Sequence, residues 1–189
     1  MSSSNIRPAD RYAFEVGIIC ALRTESDAVE AIFDEFWEED EGHYGKATGD
    51  PNSYTLGRIG QHDVVLAYMP GMGKGSAASV AASFRASFPN IRLGLVVGIC
   101  GGVPRPVANS DEIYLGDVIV STGLIQFDFG RQFLDKVVCK DTLDDNLGRP
   151  NLEIRAFLHK VQGWRARTEL QRLLSGNIAE IFNKEAFSD

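Results

Sequence analysis

Two nearly continuous apolar runs, "YAFEVGIICAL" (residues 12–22) and "IRLGLVVGIC" (91–100), constrain the fold more than anything else in the chain. A strand that is apolar throughout, rather than at alternate positions, needs cover on both faces, which a sheet between helical layers supplies. The first run leads into a helical pattern with Val29, Ile32, Phe33, Phe36 and Trp37 at the apolar positions. Thr24 stands at the expected cap, with Asp27 three residues on as a capping-box partner. "SYTLGRIG" and "HDVVLAYMP" read as a hairpin through Gly60-Gln61, and residues 76–88 read as a helix of small side chains. "DEIYLGDVIVSTGLIQFDF" is expected to add one or two strands. Beyond Asn151 the spacing of Leu152, Ala156, Val161, Trp164, Leu170, Leu173 and Leu174 is that of amphipathic helices.

Strands alternating with helices predict an α/β layered domain. The expected organisation is a disordered tail over residues 1–11, the α/β domain over 12–150 and a helical segment over 151–189. A formal net charge of −7 disfavours nucleic acid as a partner, because such binding needs a basic stripe to displace counterions. "MSSSNIRPADRY" lacks the apolar core of a signal peptide, and no apolar run approaches ~18 residues, so no membrane partner is expected. Cys20, Cys100 and Cys139 are odd in number and widely spaced, as in a reduced cytoplasmic protein. His43, His62 and His159 show no metal-ligand spacing, and neither a metal nor a cofactor is expected.

"PGMGKGS" invites comparison with a phosphate-binding loop that ends in Gly-Lys-Ser/Thr. Here Gly73-Lys74 is followed by Gly75, and the position of the required first glycine holds Tyr68, so the ATPase reading fails twice. What remains is a loop that lets backbone approach a ligand, placed before a helix start with unbonded amides. "VVGICGG" is a second strand ending in glycines, and "VGIICALRTES" puts Glu25 just past the end of a third. Ligands in open α/β sheets lie outside the carboxyl ends of strands, so the three ends are expected to converge on one crevice.

In order and spacing, "VGIICALRTES", "PGMGKGSAAS", "LVVGICGG" and "LGDVIVS" resemble the purine nucleoside phosphorylase/uridine phosphorylase superfamily. The likeness covers residues 12–132 and is nearer to the methylthioadenosine/S-adenosylhomocysteine nucleosidases. It is nearest to the version of this domain at the head of fungal NOD-like receptor proteins. The resemblance implies a three-layer α/β/α sandwich around a mixed sheet, incomplete here on its C-terminal side, and cleavage of a nucleoside N-glycosidic bond. Glu25 matches the glutamate that positions the attacking water. Gly71, Met72, Gly73, Gly98, Ile99, Cys100 and Gly101 match the turns that pack the sugar and base edge.

The implied ligand is a purine nucleoside or nucleotide-like molecule, with phosphate as a second candidate, and the implied assembly is a homo-oligomer. In phosphorolytic members an arginine and a serine grip phosphate; the matching positions here are Val96 and Ile99, which carry no such group. Arg23 is the candidate replacement for one phosphate contact, and hydrolysis is favoured over phosphorolysis. Asp117 matches a residue that anchors its strand, and "FDFG" (127–130) matches a loop that reaches a neighbouring subunit. A Met-Glu pair for the ribose hydroxyls and a later acid for the base are both missing after Gln132. The alternative expectation is therefore a catalytically inactive nucleoside-binding or signalling module, or a piece of a larger enzyme.

Overall fold

The computed structural model describes residues 7–37, 43–104, 112–124, 126, 129–140 and 150–182. It divides into two compact units, Met1–Gly101 with Asn177–Asp189, and Gly102–Gly176.

The first unit is an α/β layer structure. Strand β1 (Val16–Cys20) is followed by helix α1 (Arg23–Glu30), and a short strand β2 (Glu35–Phe36) leads to the hairpin β3 (Tyr54–Ile59) and β4 (His62–Tyr68). Helix α2 (Lys74–Ser87) and strand β5 (Leu93–Val96) complete it. The sheet order is β2-β3-β4-β1-β5; β1 runs parallel to β4 and β5, while β3 runs antiparallel to both of its neighbours, β2 and β4. The hairpin turns through Gly60-Gln61 as expected, since Ile59 pairs with His62 and Gly60 takes a left-handed φ of 61° that suits glycine.

Four consecutive residues of β4, Val64 to Ala67, are buried, so both faces of this strand are covered. Val64 and Leu66 pack with Ile18, Cys20, Val29 and Phe33 on one face. Val65 packs with Phe14, Leu56, Phe84 and Phe88 on the other. Val29 belongs to α1 and Phe84 to α2, so the sheet is sandwiched between helices. Each fully buried aliphatic or aromatic side chain contributes about 1.5–3 kcal/mol, which makes this double-faced core the main source of stability. Phe14 meets Phe88 and Tyr44 edge to face, with ring centroids 5.8 and 5.3 Å apart. A polar clip ties the segment before β3 to α2: Tyr54 and Ser87 donate hydroxyl hydrogen bonds to Asp50 Oδ2, and Asn52 Nδ2 donates to the Val80 carbonyl at 3.0 Å.

Several expectations need correction. Helix α1 ends at Glu30, so of the expected apolar face only Val29 is helical; Ile32, Phe33, Phe36 and Trp37 lie beyond it, Phe36 in β2 opposite Gly57. The Phe33 ring lies where a Cβ on Gly57 would sit, which lets the chain turn back onto the sheet. Thr24 is inside the helix and does not cap it; Leu22 is the cap residue. Strand β5 is shorter than residues 91–100 and is mostly exposed, because it is an edge strand that pairs with β1 on one side only among the described residues. Residues 112–124 contain no strand; Asp117 instead closes a turn, its Oδ2 accepting the Tyr114 amide at 2.8 Å.

The second unit holds the hairpin β6 (Gly130–Gln132) and β7 (Val137–Cys139), helix α3 (Leu152–Val161) and the first part of α4 (Trp164–Phe182). Asn151 caps α3 by accepting the Ile154 amide at 2.8 Å. In the "FDFG" stretch, residues 127 and 128 lie outside the described residues and Gly130 begins β6.

Candidate functional site

Parallel pairing brings three strand ends together. Cys20 of β1 is in register with Tyr68 of β4, and Ile19 with Val96 of β5. The chain therefore leaves all three strands at one edge, through residues 21–25, 69–73 and 97–101. Backbone bonds continue the ladders just past the strands, from the Met69 amide to the Cys20 carbonyl at 3.0 Å and from the Val97 amide to the Ile19 carbonyl at 3.1 Å.

Glu25 occupies the centre of this edge. It is the third residue of α1, close enough for its carboxylate to fold back over the helix start. Oε2 accepts the amides of Ala21 at 3.0 Å and Leu22 at 2.9 Å, and Oε1 accepts the amide of Ile99 at 2.8 Å. This is half of a capping box: the glutamate reaches back to the cap amide, whereas Leu22 has no side-chain oxygen to return the bond. Glu25 is only 9% exposed. The Ile99 amide, then the Leu22 amide, hold its carboxyl below the usual glutamate range; burial opposes them and the Ala21 amide assists. The result is a buried, ionised carboxylate at the edge where parallel α/β sheets bind ligands.

The other expected site residues are distributed unevenly. Gly98 lies against the Glu25 carboxylate and Ile99 donates to it through its backbone, while the Ile99 side chain is exposed. Cys100 is exposed, and a Cβ at Gly101 would meet only open space. Gly71, Met72 and Gly73 leave the same edge after β4, but the hydrogen bonds of Glu25 go to the β1 and β5 loops and none goes to them. Gly73 caps α2 with a φ of 120°, a conformation open to glycine, and Met72 stands 74% exposed beside it. Arg23 is turned to the surface, where its guanidinium lies 3.7 Å from Asp27.

Sequence reasoning missed two features. One is the set of three amides on Glu25; an acid at the third residue of the helix after β1 was the available signal for two of them, and nothing local signalled Ile99. The other is Tyr68 at the end of β4, whose hydroxyl donates to Glu30 and lies 2.5 Å from Thr55 Oγ1. Burial, then the Glu30 carboxylate, push the Tyr68 hydroxyl up to about 12. Among the described residues no cluster of His, Cys, Asp and Glu is arranged to hold a metal, and no helix is long and apolar enough to cross a membrane.

Comparison with known proteins gives this geometry a lineage. The family model of the phosphorylase superfamily matches residues 15–162. A protein of Hyaloscypha variabilis described as a nucleotide-binding leucine-rich repeat (NLR)-like protein is 36% identical over 182 residues. That match covers 93% of this chain but 17% of the relative, so the chain spans only a small part of that protein's length. No solved structure matches. The match from Glu15 to Gln162 runs through β1, Glu25, both glycine loops and the whole five-stranded sheet, and the chain belongs to the phosphorylase superfamily.

Proposed function

We propose that the chain cleaves the N-glycosidic bond of a purine nucleoside or nucleotide-like molecule, by hydrolysis in preference to phosphorolysis, with the attacking water held by Glu25. The observation that carries this reading is the Glu25 carboxylate, buried and ionised where three parallel strands end. As the base departs, the sugar develops oxocarbenium-like charge, and a fixed carboxylate both stabilises that charge and orients a water. Gly71–Gly73 and Gly98–Gly101 would pack the sugar and base edge. Hydrolysis is supported by the absence of an anion-binding side chain at Val96 and Ile99, and by the pairing of Arg23 with Asp27. The same reading takes the protein as a cytoplasmic homo-oligomer, which light scattering on the purified chain checks for assembly.

The test is release of free base from adenosine, methylthioadenosine, inosine and ATP, each with and without phosphate. Base release that is independent of phosphate and lost in Glu25→Gln is expected. No free base in any mixture would refute catalysis by this chain.

A second reading has its own support. The Hyaloscypha relative is described as NLR-like. A nucleoside-binding signalling module without turnover would bind adenosine in calorimetry equally well in wild type and in Glu25→Gln.

A further inference from the structure

The glycines around β5 differ in what a side chain would meet. At Gly94 and Gly101 a Cβ has open space. At Gly98 it would lie 2.6 Å from Glu25 Oε1, 2.9 Å from Cδ and 3.1 Å from Oε2. Gly98 is not among the glycines with left-handed φ, so its backbone conformation is open to other residues. What excludes a side chain there is the carboxylate itself.

The hydrogen bonds of Glu25 show what this closeness achieves. A carboxylate oxygen offers about two acceptor directions. Both on Oε2 are taken, by Ala21 and Leu22, and one on Oε1 is taken by Ile99. One direction on Oε1 remains. The Ile99 bond brings the carboxylate into the space that a methyl group at residue 98 would occupy, so the bond and a side chain there exclude each other.

We propose that Gly98 is a positioning residue: by carrying no side chain it lets Ile99 clamp Glu25, so that the carboxylate presents one acceptor direction, on Oε1, to a single water. This rests on the nucleoside-cleaving reading for the identity of the water, and on the geometry alone for the clamp. Glu25 is then a fixed anion, held by both loops, that orients water without swinging to collect its proton.

The experiment follows the Glu25 side-chain carboxyl by ¹³C NMR in glutamate-labelled protein, its resonance assigned by its loss in Glu25→Gln. Wild type, Gly98→Ala and the same-strand control Gly94→Ala are titrated with acid, and base release from the four nucleosides and nucleotides above is measured for each. The expected result is a midpoint below the usual glutamate range in wild type and Gly94→Ala, moved up in Gly98→Ala. Base release should fall at least about tenfold in Gly98→Ala, with the acid limb of its pH–rate profile moving in step with the carboxyl. An unchanged Glu25 midpoint in Gly98→Ala overturns the proposal. A moved midpoint with no base release from any variant supports the clamp and overturns the nucleoside-cleaving reading. If Gly98→Ala does not fold, Gly98→Ala/Glu25→Ala is compared with Glu25→Ala. A double variant that folds with the melting temperature of Glu25→Ala supports the proposal, since the clashing group is gone, and one that melts lower or does not fold overturns it.

Discussion

Replacing Glu25 with glutamine preserves shape and removes charge, which makes it the sharpest probe of the carboxylate's surroundings. Three amides donate to the carboxylate at 2.8–3.0 Å. The glutamine carbonyl can keep the Ala21 and Leu22 bonds, but its NH₂ then faces the Ile99 amide, donor against donor. Losing a hydrogen bond to a charged group costs about 1.5–3 kcal/mol, including much of the penalty for the stranded donor. The two surviving bonds become neutral and weaken by roughly half, on the order of 0.5–1 kcal/mol each. The expected loss is therefore about 2.5–5 kcal/mol at pH 7, a large share of the ~5–15 kcal/mol available to a folded domain. A solvated acid in a helix's first turn contributes only about 0.3–1 kcal/mol.

Equilibrium urea unfolding followed by circular dichroism decides between the two. Because the folded carboxyl titrates below its ordinary value of 4.5, its contribution is fully present above that pH and is lost as pH falls through the folded value. The gap between wild type and Glu25→Gln should be flat near neutrality and close under acid. A loss below about 1 kcal/mol at pH 7, or a gap that does not narrow as the carboxyl titrates, would refute the reasoning.

Other perturbations probe the framework that holds the site. Phe88 is 1% exposed and touches Phe14, Tyr54 and Phe84, so Phe88→Ala should cost about 3–5 kcal/mol in the same unfolding assay. Thr24→Ala should change stability by no more than about 0.5 kcal/mol, since Leu22 and not Thr24 occupies the cap; a loss near 1 kcal/mol would restore Thr24 as the cap. Burial, then the charge of Glu25, push the Cys20 thiol up to about 11, so native protein at pH 8 should take iodoacetamide on exposed Cys100 and not on Cys20, as read by peptide mass spectrometry.

Much of the sheet was legible because its signals are local. Gly60-Gln61 between two apolar stretches specifies a two-residue turn, and the hairpin forms there. The small side chains after Gly73 form α2 because a run without Pro leaves the helical hydrogen-bond ladder uninterrupted. Where the local pattern failed, a distant partner decided. Phe36 fits the helical spacing of Val29 and Phe33, but pairing with Gly57 places it in a strand, since an edge strand's free backbone groups satisfy those of β2. The run at 91–100 reads as a strand covered on both faces, yet β5 lies at the sheet edge and most of it is exposed.

At the site the division is similar. The sequence alone determined that an acid and two glycine turns would each follow a strand, because apolar runs, glycines and the acid are neighbours in the chain. Only the tertiary structure decided that the acid at 25 would meet the amide at 99, seventy-four residues away, and that Gly98 would be the glycine it requires. Parallel pairing of β1 with β5 sets that meeting, because the register between two strands fixes which loop residues face each other at their ends, and no short stretch of sequence contains it.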